Sequence, residues 1–126
     1  MRFTESEIQL AARLRGAGLV WAPHAGQYVF DIDGMVRAPS PFQAGVHLIA
    51  SANAMERLAG GEEDLREKFA WLPTWADARD WLDEHDVPRQ AVVAALQDAI
   101  ENDRTDREAI YDLILETLER AADERE

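Results

Sequence analysis

The sequence predicts an α+β fold in one domain: an N-terminal helix, a small mainly antiparallel sheet of three to four short strands, and a helical C-terminal half ending in an αα-hairpin. Three observations predict it. A capping box, Thr4 with Glu7, opens a run of apolar residues at helical spacing. Residues 19–50 are rich in β-branched and aromatic residues and are broken by Gly, Pro and an Asp-Gly pair. From Ser51 onward apolar residues recur at helical spacing between glycine and proline stops, over about 51–120. At 126 residues the chain has the length of one domain and can bury a core without disulfide or metal staples.

The first helix covers residues 3–15. Phe3 is placed to staple onto Ile8, Leu10, Ala11 and Leu14 form its apolar face, and Gly16 and Gly18 stop it. Leu19-Val20-Trp21 is a short apolar run, and residues 23–26 read as a turn. Residues 28–32 are strand formers, Asp33-Gly34 is a tight-turn pair, and Met35-Val36 is the expected returning strand. Pro39-Ser40-Pro41 interrupts the ladder, because proline donates no hydrogen bond. Residues 45–50 then read as a further strand. The competing reading is one helix from Ser40 to Leu58 with Pro41 in its first turn; the β-branched residues Val46 and Ile49 favour the strand.

Helices follow at 52–58, stopped by Gly60-Gly61, and at 62–69, where three acids lie in the first turn and suit the helix dipole. Pro73 forces that helical stretch to end near Trp71 or Leu72. Thr74 caps the next helix with Asp77 as its partner, and Trp75, Ala78, Trp81 and Leu82 repeat at helical spacing to about His85. Pro88 restarts the chain, and Val92, Val93, Leu96, Ala99 and Ile100 form a stripe. Thr105 and Glu108 cap a last helix carrying Ile110, Leu113, Ile114 and Leu118, expected to pack antiparallel on its predecessor. Residues 121–126 are expected to fray.

Composition excludes several classes. The net charge is −12, from 25 acidic and 13 basic residues, and Lys68 is the only lysine. That balance opposes nucleic acid and anionic membrane surfaces, which require clustered cations. It leaves either a solubilising coat or attraction to a basic partner. The absence of cysteine excludes disulfides and thiolate metal sites and fits a reducing compartment. The N-terminus turns acidic at Glu5 without a signal-type apolar stretch, and no 18-residue apolar run exists, so a cytoplasmic protein is expected.

The motif that carries the most chemistry is Tyr28-Val29-Phe30-Asp31-Ile32-Asp33-Gly34. An apolar strand ending in D-x-D-G resembles the first motif of the haloacid-dehalogenase-type phosphotransferases, and Leu48-Ile49-Ala50-Ser51 resembles that family's second. The resemblance implies Asp31 as nucleophile, Asp33 as general acid/base, Lys68 as the family's lysine and Mg²⁺ bridging carboxylate and phosphate. Met35 stands where the family carries threonine. Residues 35–45 are too few for a helical crossover, and no later strand ends in paired acids. Asp-Gly is also what a tight hairpin demands, and the hairpin is the reading adopted. The three histidines, His24, His47 and His85, lie on separate elements without ligand spacing, no serine sits in a G-x-S-x-G frame, and Gly60-Gly61 lacks a phosphate loop's lysine.

Three of the four tryptophans, Trp71, Trp75 and Trp81, fall within residues 69–82. Trp81 shares its face with Ala78 and Leu82 and is expected in the core. Trp71, Trp75 and Arg79 have the composition of a binding hot spot and are the candidate partner-binding residues. The chain reads as a small acidic protein-interaction or regulatory module, non-catalytic and without a cofactor, binding a protein partner or a second copy of itself; an immunity- or antitoxin-like inhibitor fits that description. The alternatives are a small Mg²⁺-dependent phosphotransferase-like enzyme using Asp31 and Asp33, and a small-ligand-binding domain. No family resemblance extends over the length of the chain.

Overall fold

The computed structural model describes residues 2–36 and 39–124. Helix α1 (Glu5–Gly16) leads through a long loop into strands β1 (Tyr28–Asp31) and β2 (Val46–Leu48). Helices α2 (Ala52–Ala59) and α3 (Glu62–Lys68) follow, then strand β3 (Phe69–Leu72) and helices α4 (Trp75–Glu84), α5 (Arg89–Glu101) and α6 (Asp106–Glu124). The sheet has the order β2-β1-β3, and both pairings are antiparallel. An α+β fold with an N-terminal helix and a helical C-terminal half is what the sequence patterning predicts.

The helix starts follow the capping chemistry. Thr4 and Glu7 exchange side-chain and backbone hydrogen bonds, as do Thr74 and Asp77, so each box satisfies two otherwise orphaned N–H groups. Ser51 caps α2, and Gly60, in the left-handed region at φ 105°, ends it. The Lys68 ammonium donates to the Ala59 carbonyl at 2.7 Å, where the α2 dipole is negative.

Three expectations are overturned. Met35-Val36 is not a returning strand. The Asp31 carboxylate, buried at the end of β1, accepts from Met35 N at 2.9 Å and from Val36 N at 2.7 Å. The side chain thus takes the donors a hairpin would direct into the ladder, and β1 meets its partner only at Val46. Gly45 makes that return possible: at φ +80° a Cβ there would lie 2.6 Å from Phe30 Cε1. The Ser40 hydroxyl donates to the Val46 carbonyl and closes the outer side of β2. Second, the helix expected over 62–69 ends at Lys68, and residues 69–72 form β3, paired from Asp31↔Phe69 to Tyr28↔Leu72. Third, α6 stays helical through Glu124; the last two residues of the tail expected to fray lie outside the described residues. In place of a 40–58 helix, a strand and then a helix are found.

The core lies between the sheet and helices α1, α4 and α6. All four residues of β3 are buried, which identifies 69–72 as a strand covered on both faces. Tyr111 of α6, fully buried, donates its hydroxyl to the Pro73 carbonyl at 2.5 Å and ties α6 to the β3–α4 junction. Glu7 is buried at the α1–α6 contact, where it accepts from Thr105 Oγ1 at 2.6 Å and from Arg107 Nη1 at 3.0 Å. Helix α5 packs on α6 but fully buries only Ala99, leaving Val93 and Ile100 exposed.

Candidate partner-binding cleft

The segment after α1 builds the first wall of a cleft. Gly18, at φ +87°, turns the chain, and Leu19 N closes the helix end on the Leu14 carbonyl at 3.1 Å. Residues 19–23 then alternate buried and exposed, as an extended segment does, without joining the sheet. Trp21 points inward and Val20, 75% exposed, points out. Gln27 fixes the loop beyond: its Oε1 accepts from His24 N at 2.8 Å and its Nε2 donates to the Ala22 carbonyl at 3.2 Å. Arg66 of α3 donates to the Trp21 carbonyl at 3.3 Å.

The second wall is Trp71 of β3, directly opposite Val29 of β1. Its ring stacks on Trp21 with centroids 5.8 Å apart and planes 12° from parallel. Both rings are more than nine-tenths buried, and Trp71 Nε1 is buried without a hydrogen-bond acceptor among the described residues. A buried donor left without a partner is costly.

Helix α4 is the third wall. Its buried stripe is Ala78, Trp81 and Leu82. Helical spacing puts Asp77, Asp80 and Glu84 on the Trp81 flank of that stripe, and Trp75 and Arg79 on the other. The Trp81 ring is stacked by His85 at 3.7 Å, and His85 Nδ1 lies 2.8 Å from the Trp81 carbonyl. The open space between the walls has a volume of about 290 Å³, and its lining includes Val20, His24, the three tryptophans and the three acids. Asp77 is engaged in its capping box, whereas Asp80 and Glu84 are exposed and enter none of the ion pairs among the described residues.

Of the candidate residues read from the sequence, Trp71 thus lines the cleft, while Trp75 is half-buried and Arg79 exposed on the opposite flank of α4. Trp21 and Asp80 carry no binding signal of their own in the sequence, and Glu84 belongs to the polar run Asp83-Glu84-His85-Asp86, which reads as a solvated helix end. The signal for the acids was their i, i+3, i+7 spacing beside Trp81, a pattern that also describes any solvated helix face.

The structure places Asp31 and Asp33 in different surroundings. Both Asp31 oxygens already accept backbone N–H groups, and Asp33 is exposed in the bend beyond the strand. Among the described residues no three His, Asp or Glu side chains converge to hold a metal ion. Among the described residues no helix is long and apolar enough to cross a membrane. A scan against protein-family models and searches of curated proteins and of solved structures found no match to this chain.

Proposed function

We propose that the protein is a non-catalytic interaction module that docks a protein partner at the Trp21–Trp71–Trp81 cleft. The observation that carries this reading is the convergence of three tryptophans, from three separate segments, around an open space rimmed by the exposed carboxylates of Asp80 and Glu84, which enter no ion pair among the described residues. Aromatic anchors surrounded by polar groups are the composition of an interface hot spot. Asp31, the nucleophile of the enzymatic alternative, accepts two backbone N–H groups of the loop that follows β1, which supports a structural role for it. A binding module of this kind suits an inhibitor or regulator, whose task is to cover another protein.

Affinity capture from the native host with the intact chain and with an Asp80→Lys, Glu84→Lys double variant tests the reading. Both substituted side chains are exposed, so the variant should melt at the wild-type temperature while losing a protein that the wild type retains. Identical capture by the two would reject the cleft as the docking surface.

A further inference from the structure

We infer that Asp33 is a site of spontaneous isoaspartate formation, and that the conversion opens the loop that Asp31 closes. Asp33-Gly34 is the only place in the chain where an Asp or Asn precedes glycine. Both residues are exposed in the bend beyond β1, outside any helix or strand. A glycine nitrogen has no Cβ beside it to hinder its approach to the preceding side chain. Around Gly34 itself, nothing beyond its chain neighbours comes within 4 Å of where a Cβ would stand.

The amide that follows Asp33 is also free where its counterparts are held. After Asp31, the Ile32 N–H donates to the Lys68 carbonyl at 3.2 Å; after Asp86, the Val87 N–H donates to the Leu82 carbonyl at 3.0 Å; after Asp103, the Arg104 N–H donates to the Ala99 carbonyl at 2.8 Å. Inside the helices the following amide is bound to the preceding turn. The Gly34 N–H enters no hydrogen bond among the described residues. The nearest rival is Asp106, whose carboxylate accepts from the Arg107 N–H at 2.9 Å in the first turn of α6. There the nitrogen carries a residue with a Cβ, and the helix fixes the backbone.

The step needs no partner but water. The Gly34 nitrogen attacks Asp33 Cγ, a C–N bond forms, and the carboxyl hydroxyl leaves with the amide proton as water. Water then opens the five-membered imide. Cleavage at Cγ restores aspartate. Cleavage at the main-chain carbonyl sends the backbone through Cγ and leaves the α-carboxylate as a side group. Water lost equals water regained, and nothing is oxidised or reduced. The added backbone carbon falls within residues 31–36, the loop held shut by Asp31 through Met35 N at 2.9 Å and Val36 N at 2.7 Å. A longer chain shifts those donors, and the buried Asp31 carboxylate loses partners it needs.

The test ages the intact folded chain at neutral pH in ¹⁸O-water, then maps its peptides after digestion in ordinary water. The Asp33 peptide should gain ¹⁸O and split into two forms of equal mass, one of which an isoaspartyl carboxyl methyltransferase labels from S-adenosylmethionine. The Asp106 peptide should stay unlabelled. Asp33→Asn, which keeps an exposed side chain of the same shape and loses ammonia instead of water, should convert severalfold faster in the folded chain. Label at Asp33 only when the chain is unfolded in urea, label at Asp106 equal to that at Asp33, or a folded Asp33→Asn chain that does not convert would overturn the assignment. The isoaspartyl form, separated by ion exchange, should unfold at a lower urea midpoint than the unconverted chain; equal midpoints would overturn the link to the Asp31 loop.

Discussion

Replacing Glu7 by alanine should cost about 3 kcal/mol, the low end of the 3–5 kcal/mol for removing one partner of a buried ion pair. The Glu7 side chain is only 3% exposed and serves two purposes at once. Toward its own helix, Oε1 accepts from Thr4 N at 3.0 Å and completes the α1 capping box, worth about 1 kcal/mol. Toward α6, it accepts from Arg107 and Thr105, the latter 98 residues away in sequence. Alanine would leave the Arg107 guanidinium without a carboxylate. Arg107 is 21% exposed, still donates to the Arg2 carbonyl and lies 4.4 Å above the Phe3 ring, which keeps the penalty at the low end of that range. Glu7→Gln retains the shape and a hydrogen-bonding oxygen and should cost only about 1–2 kcal/mol, the charge-assisted part of the bonds. Urea titrations of Glu7→Ala, Arg107→Met and the double variant measure the coupling directly. A loss below about 1 kcal/mol for Glu7→Ala, or strictly additive single losses, would show that the α1–α6 contact is held by its apolar residues alone.

Three further outcomes follow from the same packing. Burial holds the Tyr111 phenol well above its ordinary range, so the folded state keeps a proton that the unfolded chain loses. The corresponding stability is intact below about pH 10 and falls above it by up to about 1.4 kcal/mol per pH unit; Tyr111→Phe should remove that part of the alkaline slope in denaturant titrations, and an unchanged slope would refute it. Trp81→Ala should cost about 3–5 kcal/mol, and half-buried Trp75→Ala clearly less, in the same assay; equal losses would mean that both rings support the core equally. With 25 acidic residues against 13 basic ones, denaturant midpoints should rise from low salt to about 1 M sodium chloride, where the Debye length shrinks to about 3 Å; a falling series would show that attractive ion pairs dominate the surface.

The parts of the fold that were legible are those specified by local chemistry. Thr4/Glu7, Thr74/Asp77 and Thr105/Glu108 each capped a helix at the expected place, because a capping box acts over three residues and needs no tertiary context. The strand at 46–48 was legible from β-branched Val46 and the adjoining Ile49. What failed depended on distant partners. Phe69 to Leu72 follows a helix without a break and is apolar throughout, so periodicity could not separate a buried strand from a helix end; only pairing with β1 decides it. Asp-Gly at 33–34 suggested a hairpin, but the preceding Asp31 carboxylate captured the donors of residues 35 and 36 first.

The cleft was hidden for a related reason. Within the sequence, Trp71, Trp75 and Arg79 form the densest aromatic and cationic group, and proximity along the chain suggested one surface. The proline at 73 separates them onto two elements: Trp71 follows the two-residue alternation of β3, whereas Trp75 and Arg79 follow the helical period of α4. The two periods send Trp71 toward Trp21 and Trp81 and leave Trp75 with Arg79 across the buried stripe. Trp21 enters only because Gly18 redirects the chain and because residues 19–23 run extended without a partner strand. The rings gathered from three elements form part of the core, and the Trp71 indole N–H is buried there without an acceptor among the described residues. Beside these packed rings the α4 acids Asp80 and Glu84 stay exposed and enter none of the ion pairs among the described residues, because the helical period that buries Trp81 turns them to the rim.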